Sequence, residues 1–532
     1  MTGSKLKGKA TNAATRDGRR RRWTLSDSTR KGWDGHDRVV AASVSCECAG
    51  GGSIAPICNP KGSPCQQDDD SQSDCVEVIR SLGDLPEDIC RRIHARMPLR
   101  DAARLACVSR KFWRSWRCYP KLDLRQETLG LNGDLISKVD SILKNHSGVG
   151  LKELNIELSS CDKVDSCYIS SWLRIAVTAG IEELSLFLPH IPEEEENCFP
   201  CSPLLNGSEN SIWYLDIGIC AFRPTAGLGH WRSLTRLYLS SVRVADDELE
   251  GLLYSCDALE HLGVLNCPEI VCLKIPCLLQ RLRLLTVSLC RNLQVIDCNA
   301  PNISIFHFSG SLVSIFFESA LQVKNVEMDC LEFGQSNIVL HARTKLLSYA
   351  PNVETLAISS PNEMISTPML PSKFLCLKYL HISLIGDEAI SPAYDYLSLV
   401  SFLEASPCLE TFILEVRQPY MKHDSVVEDS SHLRWLPQQR HNSLKSVTIV
   451  GFCSAKSLVE LTCHIVENAT SLERLTLDTT HGCQNGSMQR GDILMESHRA
   501  RLAIRRHVER QVPSGVVLKV VEPCSRCIML NF

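Results

Sequence analysis

Residues 82–120 read LGDLPEDICRRIHARMPLRDAARLACVSRKFWRSWRCYP, and their apolar spacing and prolines predict short helices. Ile89, Ile93 and Met97 recur every four residues, which places them on one face of a helix of about three turns. Pro86 suits the first turn of this helix, because the amide that it lacks would have no intrahelical partner there. Pro98 ends the helix, because it cannot continue the hydrogen-bond ladder.

Two further helices follow in the same stretch. The second is predicted from about Asp101, with inward-facing Ala102, Ala103, Leu105 and Ala106. Ser109 is the candidate N-cap of a third helix that carries Phe112, Trp113 and Trp116. About forty residues are too few to bury a core alone. Apolar side chains left over on these helices therefore predict a partner that covers them.

This stretch resembles the F-box over the whole length of that motif; a generic helical hairpin is the alternative. The residues that carry the resemblance are Leu85-Pro86, Ile89, Ile93, Met97-Pro98-Leu99, Leu105, Cys107-Val108-Ser109-Arg110 and Trp113-Arg114. Residues 100–103 are smaller and more polar than in many versions. The resemblance implies docking onto a Skp-family adaptor and, through it, a cullin ubiquitin ligase. The adaptor-binding residues that it implies are Leu85, Pro86, Ile89, Ile93, Met97, Pro98, Leu99, Leu105, Val108 and Trp113. Among them we expect Leu85, Pro86, Ile93 and Leu99 to make contacts.

A second feature, the phrase L-x-x-L-x-[LVI], recurs with variations through the rest of the chain. Its copies begin at Leu151, Ile181, Leu234, Leu259, Val353, Leu377, Leu409, Leu444 and Leu472. The last three positions alternate apolar, polar and apolar, as in a short strand with one buried face. Each copy exposes apolar surface that only the next copy can cover. The copies are therefore expected to stack into a curved leucine-rich-repeat solenoid with a parallel sheet on its concave side.

The segments between copies differ along the chain. Residues 244–256 are predicted to form a helical return, with Leu249, Leu252, Leu253 and Cys256 on one face. From about 281 to 330, apolar clusters come every nine or ten residues. This spacing leaves no room for helices, so the outer side there is expected to be strand or irregular. Residues 192–206 and 361–372 are predicted loops, which are insertions by default and could carry partner contacts.

The C-terminal region, about residues 436–523, resembles the FBD region that accompanies F-boxes in many plant proteins. It contains a strand at Leu444–Phe452, a helix at Ser457–Ala469, a second strand at Leu472–Leu477, a basic helix at Arg499–Gln511 and a final strand at Val516–Val521. Such a region would close the open end of the solenoid, as terminal repeats must.

These features predict an α/β chain with six parts. They are a disordered tail at 1–78, a short trihelical F-box at 79–120, a helical connector at 121–150, the curved solenoid at 151–435, an FBD-like cap at 436–523 and a tail at 524–532. The connector is expected to hold one helix with Leu135, Val139, Ile142 and Leu143 as its apolar stripe.

The charge and the N-terminus set limits on location and partners. The 532 residues carry a net charge of −4, so no global field favours nucleic acid. No apolar run reaches the roughly 18 residues that span a bilayer, and the N-terminus lacks the apolar centre of a secretory signal. Arg19–Arg22 could be a nuclear import signal, an anionic-surface patch or a solvated basic tail. We expect the nucleus, the cytoplasm or both, with no membrane or nucleic-acid partner.

The 27 cysteines most often fall inside apolar patterns, which favours free thiols in a reducing compartment. The cysteines at 46–75 lack the paired spacing of a zinc finger, and Cys198–Cys201 and Cys524–Cys527 are isolated pairs. No Walker loop, H-E-x-x-H, G-x-G-x-x-G or G-x-S-x-G occurs. We therefore expect no catalytic residue, no metal and no cofactor.

Taken with the resemblance, the sequence favours a non-catalytic substrate-receptor subunit of a Skp–cullin–F-box ubiquitin ligase that recruits a target protein through its repeats. An F-box scaffold that acts without a cullin is the alternative, and a nucleic-acid or anion binder that uses Arg19–Arg22 is a weaker one. The substrate-binding residues are unknown. Candidates on the concave side are Lys152, Glu182, Arg236, Glu260, Glu354 and Lys378.

Overall fold

The computed structural model describes residues 85–130, 134–161, 163–178, 180–190, 197–205, 211–224, 231–330, 337–386, 394–417, 423–427, 432–437, 439–480 and 490–523. All of them belong to the second of the two units into which the chain divides, residues 78–532. The predictions made for residues 1–78, for the acidic part of the 192–206 loop and for 524–532 lie outside the described residues.

The N-terminal part of the described chain is helical, as the sequence predicts. It contains α1 (Glu87–His94), α2 (Leu99–Val108) and α3 (Arg110–Trp116), followed by α4 (Gln126–Leu129) and α5 (Leu135–Asn145). Pro86 and Pro98 are the N-cap residues of α1 and α2. Ser109 is the N-cap residue of α3, but its side chain makes no capping hydrogen bond. The second helix thus begins two residues earlier than predicted, directly after Pro98.

Within the described ranges, fifteen strands form one parallel sheet, in the order β1-β2-β3-β4-β5-β6-β8-β10-β12-β13-β14-β15-β16-β17-β18. Their bounds are β1 Lys121–Leu124, β2 Glu153–Glu157, β3 Glu183–Phe187, β4 Tyr214–Ala221, β5 Arg236–Arg243, β6 His261–Leu265, β8 Leu284–Ser288, β10 Ile305–Ser309, β12 Asn325–Asp329, β13 Thr355–Pro361, β14 Tyr379–Ile385, β15 Thr411–Arg417, β16 Ser446–Val450, β17 Arg474–Asp478 and β18 Val517–Val521. All nine copies of the repeated phrase end in strands of this sheet. The predicted solenoid is confirmed.

The register explains why the phrase repeats. Leu237 of β5 pairs with Leu262 of β6, and Leu239 pairs with Val264, so equivalent apolar positions stack along the sheet. These side chains are buried against the next rung, whereas the polar positions between them face the other side. We call this second side the open face of the sheet. The stacking joins Leu99 of α2 to Val508 near the C-terminus in one continuous core.

The segments opposite the sheet are helices in most repeats: α6 (Ser166–Thr178), α7 (Ser202–Leu205), α8 (Asp246–Leu253), α9 (Ile338–Tyr349) and α10 (Val400–Ala405). Helix α8 buries Leu249, Leu252 and Leu253, as predicted for residues 244–256. Between 272 and 317 the outer side is instead a small parallel sheet of β7 (Cys272–Ile275), β9 (Val295–Cys298) and β11 (Ser314–Phe317). The prediction of an outer side without helices is confirmed there.

The predicted connector with one helix also contains two elements that the sequence did not predict, the short helix α4 and a strand. Residues 121–150 contain the predicted helix, α5, with Leu135, Val139 and Leu143 buried. They also contain β1, which pairs with β2 from Lys121 opposite Glu153 to Leu124 opposite Ile156. The sheet therefore begins 30 residues before the predicted boundary at Leu151. The pattern was missed because buried Tyr119, rather than leucine, stands three residues before Leu122.

The C-terminal region continues the sheet. Strands β16 and β17 flank α11 (Lys456–Asn468), which is buried along most of its length. Helix α12 (Arg490–Ala503) runs into a π-helical segment, Ile504–Val508, and β18 is the last strand, parallel to β17. The predicted helices and strands of this region are present, although the last helix begins before Arg499. No helix in the described ranges has the length and apolarity to cross a bilayer.

Candidate functional site

The inner side of the three-helix segment includes two residues of α1, Cys90 and His94, that the apolar spacing did not single out. Cys90 and His94 of α1 are fully buried, together with Ala102 and Ala106 of α2 and Phe112 of α3. The prediction that Ala103 and Leu105 also face inward is only partly right, because both are half-buried. Since Cys90 and His94 occupy the inner side of α1, the stripe of Ile89, Ile93 and Met97 is left half-covered.

His94 ties the helices together. Its Nε2 lies 2.8 Å from the carbonyl oxygen of Ala102, and its ring meets the edge of Phe112 at 5.5 Å between centroids. The ring also lies 5.8 Å from that of Tyr119, whose hydroxyl donates to the carbonyl of Met97 at 2.6 Å. Burial lowers the pKa of His94, against the opposing effect of the Ala102 carbonyl. The helices are therefore fixed to the first rung of the solenoid by buried polar contacts.

The ten predicted adaptor-binding residues fall into three groups by their exposure. Leu99 is buried, with 7% of its surface exposed, so it supports α2 from within. Leu85, Ile89, Ile93, Met97 and Leu105 are half-buried, whereas Pro86 and Pro98 are exposed. Val108 and Trp113 are 78% and 50% exposed. Aliphatic and indole surface of this kind is left uncovered on a segment whose other side is packed, which is the usual sign of an interaction surface.

The same helices carry an excess of positive charge. Residues 85–120 contain nine Lys or Arg and three Asp or Glu. Few of these charges are neutralised by neighbours: Glu87 lies 3.8 Å from Arg91 and 3.4 Å from Arg114, and Asp101 lies 3.2 Å from Arg104. The guanidinium of Arg117 lies over the Trp113 ring at 5.3 Å. The exposed apolar side chains thus stand within a basic surface, which favours an acidic partner.

The six concave candidates lie at the starts of the strands, where several of them pair with one another. Lys152 and Glu182 are 2.6 Å apart, and Glu354 lies 3.1 Å from Lys324 and 3.0 Å from Lys378. The row continues with Glu410 and Lys445, 2.9 Å apart. Hydrogen bonds from Lys378 and Lys324 lower the pKa of Glu354. The alternating charges therefore neutralise one another along this edge, which reduces what they can offer to a target.

The open face holds residues that the sequence reasoning did not identify. Tyr238 lies against Gly263, where an added Cβ would stand 2.3 Å from the ring, and Phe187 lies against Gly218 in the same way at 2.4 Å. Tyr214 and Tyr238 are 5.8 Å apart between centroids. Beside them a cleft of about 300 Å³ is lined by residues of β1–β4, namely Lys121, Leu122, Asp123, Glu153, Leu154, Asn155, Glu183, Ser185 and Tyr214. The glycines at 218 and 263 were the available signal, because only glycine leaves room for the rings.

In the cysteine pair at 198 and 201, Cys201 is not an activated thiol. Cys198 is exposed, and the half-buried Cys201 thiol donates to the carbonyls of Phe199 and Arg223 at 3.6 and 3.7 Å. Burial raises the pKa of Cys201 to about 11. A reactive thiol needs the opposite shift, since the thiolate is the nucleophile.

This fold and surface define a class of protein in which a trihelical interaction module is joined to a leucine-rich-repeat solenoid. The family profile described as At1g61320/AtMIF1, LRR domain, matches residues 142–525, and the F-box domain profile matches residues 82–112. The chain belongs to the At1g61320/AtMIF1 LRR-domain family and carries an F-box in front of it.

Relatives from Arabidopsis thaliana share this arrangement. The chain is 23% identical to F-box/LRR-repeat protein At3g03360 over 408 residues, which are 69% of this chain and 79% of that protein. It is 24% identical to F-box/FBD/LRR-repeat protein At1g13570 over 289 residues, 52% of this chain and 61% of that protein. The predicted resemblance to F-box, leucine-rich-repeat and FBD proteins is confirmed. F-box domains generally bind Skp-family adaptors, and this combination supports an adaptor or protein-interaction role.

Proposed function

We propose that this chain is the substrate-receptor subunit of a Skp–cullin–F-box ubiquitin ligase and recruits a target protein through its leucine-rich repeats. The observation that carries the proposal is the uncovered apolar surface on the F-box, where Val108 and Trp113 are 78% and 50% exposed beside a packed helical core. In this role the chain is a non-catalytic subunit, and the transfer chemistry belongs to other subunits.

The adaptor would rest on the half-buried and exposed members of the predicted set. Leu85, Pro86, Ile89, Ile93, Met97, Pro98, Leu105, Val108 and Trp113 are available to it, whereas buried Leu99 holds α2 in place. Basic residues around them would steer an acidic adaptor surface, so the association rate should fall as salt rises.

The solenoid would act by proximity. Because its rungs share one core with the F-box, a target bound on the open face is held at a fixed reach from the ligase. Fixed reach raises the effective concentration of the target lysine near the charged conjugating enzyme.

Adaptor binding is tested by measuring the affinity of the full chain for a purified Skp-family adaptor. Combining Val108→Glu with Trp113→Ala should weaken binding at least about tenfold, as expected for apolar residues at the centre of an interface. Phe316→Ala is the matched control, because Phe316 is 58% exposed on the outer sheet, away from the F-box. Equal affinity of the double variant and the wild type would refute the proposal that this surface binds the adaptor.

A second assay separates the ligase subunit from a scaffold that works without a cullin. The chain is reconstituted with adaptor, cullin, ring-finger subunit and conjugating enzyme, and ubiquitin chains are detected on proteins that the repeats capture. A ligase subunit supports chain formation in an F-box-dependent way. Binding of the adaptor without cullin recruitment would favour the scaffold. Location in the nucleus or cytoplasm is also part of the proposal and is checked by imaging a fluorescent fusion.

A further inference from the structure

Three segments far apart in the sequence meet at Ser454, in the turn between β16 and α11. Residues 423–427 run antiparallel to this turn: Val426 N–H donates to Ser454 O at 3.1 Å, and Lys456 N–H donates to Asp424 O at 2.8 Å. From the third segment, helix α12, the carboxylate of Glu496 accepts the N–H of Ser454 at 2.7 Å. These bonds hold segment 423–427 and helix α12 against the turn that contains Ser454.

The side chains of three possible metal ligands meet at this junction. The imidazole of His423, the thiol of Cys453 and the carboxylate of Glu496 each place one ligand atom within 4.8 Å of the other two. His423 Nε2 and Glu496 Oε1 are 3.8 Å apart. Cys453 is buried, with 4% of its surface exposed, whereas the side chains of His423 and Glu496 are 23% and 16% exposed. In the described ranges, this is the one group of three such residues close enough to share an ion.

We infer that His423, Cys453 and Glu496 form a binding site for a divalent zinc ion that fastens the segment at 423–427 and helix α12 to the solenoid. Thiolate, imidazole and carboxylate are the three ligand types that zinc takes in proteins. Ligands at about 2.0–2.3 Å from a tetrahedral ion lie roughly 3.3–3.8 Å from one another, so small side-chain movements suffice. Three protein ligands leave the fourth position to water.

Zinc binding requires the thiolate of Cys453, because a thiol coordinates only after it loses its proton. The carboxylate of Glu496 faces the ring of His423 and accepts the N–H of Ser454. Arg499 approaches the other carboxylate oxygen only to 3.9 Å. Binding of zinc would displace the thiol proton, and the affinity should fall as the pH falls.

The sequence alone does not indicate this site, because the three ligands do not follow zinc-finger spacing. His423 lies in the long insertion between β15 and β16, Cys453 in a turn and Glu496 in a helix, tens of residues apart. A bound ion would add folding free energy where the insertion and the last helix join the repeats. The inference concerns stability of the repeat region and does not depend on the proposed ligase role.

The test uses the full-length chain, stripped with a chelator and titrated with Co²⁺ and then Zn²⁺. The variants are Cys453→Ala and His423→Gln, and Cys463→Ala is the matched control, because Cys463 is equally buried in α11 but outside the cluster. The wild type and control should bind one ion more per chain than either variant. They should also show a stronger thiolate-to-cobalt charge-transfer band and a melting temperature that rises with Zn²⁺.

Because every cysteine other than Cys453 and Cys463 is common to all four proteins, and the control accounts for the loss of Cys463, the difference in ion content reports on this cluster alone. Equal ion content and equal cobalt spectra in the wild type and His423→Gln would overturn the inference and leave a plain His423–Glu496 ion pair. If Cys453→Ala does not fold, His423→Gln still decides, because its side chain is partly exposed.

Discussion

At the scale of single residues, His441 and His464 form a buried pair beside α11. They are 8% and 4% exposed, and their rings lie 5.8 Å apart between centroids. Asn468 donates to the carbonyl of His464 at 2.8 Å, but Nε2 of both rings has no hydrogen-bond partner among the described residues. Burial, and then the charge of His464, lowers the pKa of His441 to about 4, and burial lowers that of His464.

This pair predicts a loss of stability in mild acid. The pKa of a histidine in an unfolded chain is about 6.5, so the unfolded state binds more protons than the folded state between about pH 6.5 and 4. The stabilisation is complete above pH 6.5 and is lost as the pH falls through this window, by at most about 3 kcal/mol for His441. Urea denaturation at pH 7.5, 6 and 5 should show that His441→Gln loses less unfolding free energy on acidification than the wild type does.

The control for this prediction is His432→Gln, which changes an exposed histidine close by in the sequence. It should lose stability in acid as steeply as the wild type. If His441→Gln shows that same slope, the buried pair does not titrate as described.

At the scale of elements, the segment after β13 differs from the free loop that its prolines suggested. The buried Arg343 of α9 donates to the carbonyls of Ser401 and Leu370 at 3.2 and 2.8 Å and to Ser372 Oγ at 3.1 Å. Glu363, with no exposed surface, accepts the N–H groups of Val339 and Leu340 in the first turn of α9, both at 3.2 Å. The segment thus caps one helix and is held by it, which makes it part of the solenoid.

This arrangement predicts that Glu363→Ala destabilises the region around α9. The substitution leaves one buried and one partly buried N–H group without an acceptor, which should cost about 2 kcal/mol of unfolding free energy. Hydrogen exchange followed by mass spectrometry should show faster exchange in α9 and in the following segment.

Two comparisons make this measurement decisive. Glu318→Ala removes an exposed carboxylate and should leave exchange in α9 unchanged. Glu363→Gln keeps one acceptor oxygen and should fall between the wild type and Glu363→Ala. Unchanged α9 exchange in Glu363→Ala would show that the helix does not depend on this cap.

At the scale of the whole described unit, the F-box is continuous with the repeats. Leu99 and Ala102 of α2 belong to the same core as Leu122 and Leu124 of β1, and α2 packs on β1. Repeat proteins are stabilised by contacts between neighbouring rungs, so a disturbance spreads to adjacent rungs and fades with distance.

Leu122→Ala should therefore loosen the F-box. A buried leucine cut to alanine costs about 2–5 kcal/mol, and the cavity would lie in β1, on which α2 packs. Hydrogen exchange should increase in α2 as well as in β1 and β2. Leu475→Ala, an equally buried change in β17, should increase exchange only near the C-terminal end. If exchange in α2 is unaffected by Leu122→Ala, the F-box folds as a separate unit.

Much of this fold was determined by local sequence alone. The three helices follow from prolines and four-residue spacing, and nine of the fifteen described strands of the main sheet follow from a phrase whose alternation permits one buried face. Short spacing predicted an outer side without helices at about 281–330, and the small sheet lies at 272–317. Such patterns are readable because helix and strand periods impose them on neighbouring residues.

Tertiary structure decided what depends on residues distant in the chain. It turned Cys90 and His94 inward and left Ile89 and Ile93 half-covered, because α3 and Tyr119 pack on that side of α1. It extended the sheet to β1, paired the charges at the strand starts, and joined His423, Cys453 and Glu496. No local period links these residues, since their contacts arise only when separate rungs stack and bring their side chains together.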